Sequence, residues 1–385
     1  MTGLASAQET PTTSAPAEAK PAESMKPVEE LSLDYLLNVA VAQGEAGSFG
    51  TRLEKLDTSV FLHAYLTLDY YNQNSQHSFD AHYFNVFVGG NVADRLFPEV
   101  QVELEHGNEF AVRFAQLDVK LHEAFIVRSG LFLVPFGLYN EFLYPEYLTK
   151  LPRSPLVLFY RDIIPVAWND TGVQVRGKTN LSSALGLSYA AYLVNGLEQK
   201  DAAPKDGVIV EGGGIRGMRG NFRDLNNANK AFGGRLSLDL WDETLLFGVS
   251  GYRGMYTAEG RRFLTLLGSE VLFKKNKFYF RVEGAVALQD VSDAAEPDGL
   301  RQLTKQGVYA LAAYSVIPQI EPAVAFDRIV LGGRVSDNVS RFTLGVNYRP
   351  FGQSNFVTRA SYTFSRPDGS TTRDDIFMIQ ASMGI

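Results

Sequence analysis

Phe377-Met378-Ile379-Gln380-Ala381-Ser382-Met383-Gly384-Ile385 is the stretch on which the reading of this chain turns. Successive side chains of a strand point to opposite sides. Phe377, Ile379, Ala381, Met383 and Ile385 therefore share one face, and Gln380, Ser382 and Gly384 share the other. The alternation returns at 340–349, where Phe342, Leu344, Val346 and Tyr348 oppose Arg341, Thr343, Asn347 and Arg349. Earlier in the chain, Val100, Val102 and Leu104 alternate with Glu99, Gln101, Glu103 and Glu105, so three carboxylates lie on one side. One face of each segment suits hydrocarbon, and the other must stay wet.

Segments of about ten such residues, separated by turns, recur from Asp57 to Ile385, which is the pattern of a transmembrane antiparallel β-barrel. About sixteen strands are expected, from 57–71 and 79–91 at the start to 355–366 and 374–385 at the end. Connections alternate in length: Trp241–Thr244, Lys274–Lys277 and Pro350–Ser354 are tight, whereas 135–169, 196–229 and 290–304 are long. An even strand count puts both ends on the side of the short turns, the periplasmic side, with long loops facing outward. No stretch approaches the roughly 18 apolar residues of a spanning helix. A membrane crossing must then be made by strands closed into a barrel, since lipid offers no partner to a free backbone edge.

Composition narrows the function classes. With 385 residues, 45% hydrophobic, 35 Gly and 16 Pro, one large β domain fits better than several small ones. A net charge of -7 argues against a nucleic-acid partner, and the absence of cysteine removes disulfides and thiolate metal ligands. Ahead of the barrel, residues 1–56 form a separate region. Leu4-Ala5-Ser6-Ala7-Gln8 reads as the small-residue end of an export signal, with cleavage after Ala7. Residues 8–30, rich in Pro, Ala, Glu and Thr, are expected to be a disordered periplasmic leader. Leu33, Leu36 and Leu37 then predict a short amphipathic helix.

The connection after the fifth strand, about 135–169, carries Pro135, Pro145, Pro152, Pro155 and Pro165 among many aromatics, and is too apolar for a solvated tether. The barrel lumen is the surface available to it. Gly130-Leu131-Phe132-Leu133-Val134-Pro135-Phe136-Gly137, Leu151-Pro152-Arg153-Ser154-Pro155 and Asp170-Thr171-Gly172-Val173-Gln174 resemble the phosphate-selective porin-like family, as do Asp80-Ala81-His82 and Glu103-Leu104-Glu105-His106-Gly107. The resemblance covers the barrel from about Asp57 onward. It implies a sixteen-stranded bacterial outer-membrane porin for passive diffusion of small hydrophilic solutes. It further implies a trimer, and a third outer loop folded inward as the constriction. Basic residues on that loop would then attract anions; Arg153 and Lys150 stand at the matching positions.

Choosing the inward face by alternation puts Arg176, Arg235, Arg281, Arg341, Arg349 and Arg359 in the lumen, against Glu99, Glu103, Glu105 and Asp118 from the third and fourth strands. A basic arc facing an acidic arc would set a transverse field on passing solutes. Pairing between neighbouring strands is the alternative. Such a lumen is not uniformly basic, so the resemblance does not extend to phosphate selectivity. Within the loop, Lys150, Arg153, Arg161 and Asp162 are the constriction candidates, because a guanidinium fork can hold an oxyanion at two points.

Catalytic and cofactor motifs do not survive inspection. Gly212-Gly213-Gly214-Ile215-Arg216-Gly217 fits a dinucleotide fingerprint, but no apolar helical face follows to carry it, so a flexible outer loop is expected. His63, His77, His82, His106 and His122 lack metal-site spacing. Neither an enzyme nor a cofactor is indicated. The competing expectation is a structural barrel that anchors a periplasmic or surface complex through residues 8–50.

Overall fold

The computed structural model describes residues 52–384 except 54–57, 74–75, 93–94, 144–147, 153–154, 156–162, 199–203, 206–207, 210–213, 220–228, 242–243, 258–259, 293–299, 333–337, 352–354 and 370–373. The leader, its expected helix, and Arg153, Arg161 and Asp162 lie outside the described residues.

Sixteen long strands make the wall: β1 (Thr58–Gln73), β2 (Gln76–Asn91), β3 (Leu96–Glu105), β4 (Glu109–His122), β5 (Phe125–Leu133), β6 (Asn169–Ser182), β7 (Leu185–Val194), β8 (Ala231–Leu240), β9 (Leu245–Met255), β10 (Phe263–Lys275), β11 (Phe278–Ser292), β12 (Leu300–Tyr314), β13 (Ile320–Val330), β14 (Val339–Tyr348), β15 (Phe356–Pro367) and β16 (Ile376–Gly384). Each pairs antiparallel with its sequence neighbours. The sheet closes where β16 meets β1, from Ile376 opposite Gln73 to Gly384 opposite Tyr65. A two-residue strand, Arg52–Leu53, folds back on the start of β1. Closure leaves no edge, which is the condition for strands to sit in lipid.

The alternation read from sequence sets the two faces. Phe342, Leu344, Val346 and Tyr348 face outward, while Arg341, Thr343 and Asn347 are buried inside. In β16, Gln380 and Ser382 are inside and Phe377, Ile379 and Met383 outside. No described helix is long and apolar enough to cross a membrane.

Connections after even-numbered strands are short, such as 123–124, 183–184 and 276–277; those after β5 and β7 are the long ones, 134–168 (L3) and 195–230 (L4). Asn276, at φ 54°, supplies the left-handed residue that a two-residue hairpin turn needs. One expected connection is corrected. The segment 290–304 is largely strand, because β11 continues to Ser292 and β12 begins at Leu300, with Gln289 opposite Leu303 and Val291 opposite Arg301.

Candidate pore and its inner loop

L3 lies inside the barrel, and its burial follows from its composition. Val134, Phe136, Leu138, Tyr139, Phe142, Leu143, Leu151, Ile163, Ile164 and Trp168 are all buried, in one apolar cluster with the inner faces of β9–β13. Those strands turn Leu246, Leu264, Leu266, Leu272, Leu311 and Ile329 inward, with Ala285, Ala287, Ala313, Ala323 and Ala325 between them. Alanines and glycines on this wall make room for the loop. A Cβ at Gly268 would stand 2.8 Å from the Phe136 ring, and one at Gly345 2.4 Å from Leu151 Cδ2.

Polar contacts fix the loop in one path. Asn140 ties its two ends together: its Nδ2 donates to the carbonyls of Val134 (2.8 Å) and Trp168 (3.1 Å), and its Oδ1 accepts from the Trp168 amide (2.7 Å). The Gly137 amide donates to Ser250 Oγ on β9 at 3.0 Å, and the Tyr139 amide to Glu283 Oε2 on β11 at 3.2 Å. One π-type turn, Tyr139–Leu143, then presents Glu141 to Arg176 (3.2 Å) and Arg235 (3.6 Å). Further along, Lys150 Nζ reaches Glu321 on β13 at 2.9 Å and lies 5.3 Å from the Tyr279 ring centre. The loop thus bridges the lumen from β6 and β8 to β13 and β14.

L4 packs against L3. Leu197, Ile215 and Met218 are buried in the same cluster, and Arg219 Nη1 donates to the Ala167 carbonyl at 2.6 Å. The expected flexible segment is corrected in part: Gly214–Gly217 is a single helical turn, held because Ile215 buries completely.

The lumen charges have these partners. Glu99 accepts from Gln116 at 2.8 Å, Asp118 accepts from Arg128 Nε and Nη2, each at 2.7 Å, and Glu103 and Glu105 share Arg113. Arg235 Nε donates to Glu270 at 2.7 Å. Arg281 lies 3.6 Å from Glu283, with its guanidinium 5.3 Å from the Tyr139 ring and 5.1 Å from the Tyr309 ring. Arg349 approaches Glu321 at 3.7 Å, Arg359 Nη1 donates to Gln380 at 2.8 Å, and Arg341 Nε to Ser365 at 3.4 Å.

Basic and acidic side chains are more interleaved than two separate arcs would be. Glu283 is buried on β11 beside Arg281, Glu270 on β10 and Glu321 and Asp327 on β13, among the strands that carry the inward arginines, and Arg128 is buried next to Asp118. Alternation could have found these acids, because each is in phase with its strand's inward set. Glu141 had no such signal, since a loop has no period. The remaining wall, β14–β16 with β1–β4, is rich in hydroxyls and amides: Thr67 meets Ser382 at 3.0 Å, Thr343 meets Thr363 at 2.9 Å, and Gln101 donates to Asn85 at 2.5 Å.

A closed sixteen-strand wall, an apolar outside and an inner loop that crosses a charged lumen are now in place. The fold is that of the outer-membrane porins. DcaP, an outer membrane channel of Acinetobacter baumannii, superposes with a TM-score of 0.58 at 11% identity, over 88% of this chain and all (100%) of that one. An anion-selective porin from Comamonas acidovorans gives 0.56 at 10% identity, over 85% and 99%. OmpT of Vibrio cholerae, in its trimer form, gives 0.57 at 12% identity, over 85% and 99%. No protein-family model matches the chain. A curated relative, an uncharacterized protein of Aquifex aeolicus strain VF5, is 29% identical over 224 residues, 54% of this chain; the match spans about half (47%) of that relative's length. This porin-fold barrel carries an outward-facing apolar belt, the surface that a membrane-spanning barrel wall requires.

Proposed function

We propose that the barrel is a diffusion channel for small hydrophilic solutes, with L3 as its constriction and the charges around L3 as its filter. The observation that carries this reading is Glu141. It hangs from the inner loop between Arg176 and Arg235, which lie on strands separated by β7. Charge of this kind, fixed at close quarters in a pore, sets which ions pass. Lys150 marks the other end of the loop, and Arg153, Arg161 and Asp162 belong to the same segment. A preference for anions agrees with arginines on six strands of the lumen wall and with the selectivity named for the Comamonas neighbour. Kinship to the phosphate-selective type rests on the motif from Gly130 to Gly137, which runs from β5 into the loop. Assembly as a homotrimer is supported by the trimer form of OmpT.

Single-channel recording in a planar bilayer under a KCl gradient tests the proposal. Replacing Glu141 by Gln leaves Arg176 and Arg235 without their shared carboxylate. The reversal potential should then move toward the anion side, and Lys150→Glu with Arg153→Glu should move it toward the cation side. Open steps with a reversal potential indifferent to both changes would remove L3 from the filter.

A second reading has an observation of its own. Inward-facing side chains around the described wall are mostly buried, Glu99, Gln101, Asp118, Arg359 and Gln380 among them, and L4 packs onto L3. A barrel filled in this way suits a structural anchor acting through residues 8–50. Folded protein that gives no current in the bilayer would favour it.

A further inference from the structure

A wet lumen calls for polar inward residues, yet toward the periplasmic end of β1–β5 much of the inner face is apolar. Phe61 on β1 and Phe87 on β2 are half-buried, and the Phe87 ring lies 5.8 Å from that of Tyr65 and 6.0 Å from that of Phe114. Gly89 stands opposite Phe61, and a Cβ there would overlap the Phe61 ring, which lies down against the sheet. Phe97 on β3 and Ile126 on β5 are buried as a small cluster apart from the one that L3 makes, and Phe114 carries the patch to the edge of the L3 cluster. These side chains are in phase with buried polar ones on the same strands: Phe87 with Asn85, Phe97 with Glu99 and Ile126 with Arg128. Apolar rings turned into water are unfavourable, and a cover for them stabilises the fold.

The chain ahead of the barrel arrives at this place. Arg52 and Leu53 pair with Ser59 and Thr58 on the edge of β1 away from β2, and β16 holds the same edge from Tyr65 upward. The pairing is antiparallel, so the chain preceding Arg52 climbs along β1 toward β16 and has to leave the sheet between Ser59 and Tyr65. An exit toward lipid would strip its backbone of hydrogen-bond partners, whereas an exit toward the lumen meets Phe61. Residues 31–41, from Leu31 to Val41, are the most apolar stretch ahead of β1. They carry a single charge, at Asp34, and helical spacing puts Leu33, Leu36, Leu37 and Ala40 on one face. The connection 42–51 contains Gly44, Gly47 and Gly50. Extended, it spans up to about 33–36 Å, several times the rise from Ser59 to Phe61.

We infer that residues 31–41 fold back into the periplasmic mouth and pack Leu33, Leu36 and Leu37 against Phe61, Phe87, Phe97 and Ile126. The leader is then a second inner element of the barrel beside L3. This seat does not depend on conduction: it narrows the periplasmic mouth of a channel, and it fills that of an anchor.

The absence of cysteine allows a direct test in the full-length protein. His63 is exposed, shares the inward face with Phe61 and lies 5.5 Å from its ring, so His63→Cys reports on cover over the patch. Combined with Leu36→Cys, it should oxidise to an intramolecular disulfide. Leu62→Cys, at a side chain that faces outward, should form none with Leu36→Cys. A charged methanethiosulfonate reagent should label His63→Cys about tenfold faster, or more, once Leu33, Leu36 and Leu37 are all replaced by Ser, because burial of those three side chains holds the cover in place. Heat-dependent gel mobility reports that each variant is folded. Labelling at one rate with and without the three leucines would overturn the inference. So would a disulfide that forms equally well with Leu62→Cys, or one that joins two copies of the chain. A disulfide from His63→Cys to Ser154→Cys in L3, with none to Leu36→Cys, would give the patch to L3 and overturn it too.

Discussion

Glu321 is where the inner loop is held to the wall. It accepts from Lys150 at 2.9 Å, Asn347 at 2.8 Å and Ser315 at 3.1 Å, with Arg349 at 3.7 Å. Breaking a buried ion pair from one side costs about 3–5 kcal/mol when the other charge is left alone. Here three partners remain, so Lys150→Met should cost about 1–2 kcal/mol in denaturant unfolding from micelles, and Glu321→Leu, which removes the carboxylate that Lys150 and Arg349 share, should cost more. No loss from Lys150→Met would mean that Lys150 contributes nothing to anchoring, and equal losses would mean that Asn347, Ser315 and Arg349 add nothing beyond it. At the outer end, the hydrogen bond from Arg328 holds the Asp368 carboxyl below its ordinary value of 3.8. A lowered folded pKa stabilises the bridged form above the unfolded value and loses that stabilisation as pH falls through the folded one. Amide exchange between Arg366 and Gly369 should therefore stay flat from pH 7 to about pH 4, after correction for intrinsic rates, and accelerate below it. Acceleration beginning at pH 5 or 6 would contradict the bridge.

At the scale of elements, L3 is seated by two empty places in the wall. Gly268→Val and Gly345→Leu would drive side chains into Phe136 and Leu151, at separations no packed pair tolerates. Overpacking of this kind costs about 1–3 kcal/mol when confined to a core. A loop has a cheaper response, which is to leave its seat. Both variants should retain the barrel and raise single-channel conductance. Conductance that stays the same in a folded variant would show that L3 does not narrow the path. L4 belongs to the same unit, since Ile215 and Met218 share the cluster with Trp168 and Tyr252.

For the whole molecule, the seam between β16 and β1 decides whether sixteen strands make a barrel or an open sheet. Thr67 and Ser382 are cross-strand partners there, with hydroxyls 3.0 Å apart inside the lumen. The chain contains no cysteine, so Thr67→Cys with Ser382→Cys introduces a single possible bridge. Oxidation should form it without added crosslinker and join residues 315 positions apart. That closure should raise the unfolding midpoint, since disulfides over long loops typically contribute about 2–4 kcal/mol. Failure to oxidise in folded protein would place the seam elsewhere.

The sequence by itself determined most of the strands, the facing of nearly all of them and an approximate number, because a barrel in lipid imposes a period of two on every crossing and places long loops at one end. It also marked L3, through a proline- and aromatic-rich composition that water would not hold. On β10 the rule that apolar residues face outward fails: Leu264, Leu266 and Leu272 turn inward and Ser269 outward. Only the packed loop makes that arrangement favourable, by covering the inward leucines. The role of Glu141 was equally hidden, since its arginines lie 35 and 94 positions away in sequence and meet it only after the barrel closes. Period fixes what each strand residue faces; what it touches across the lumen depends on the path of the loop, and tertiary structure alone sets that path.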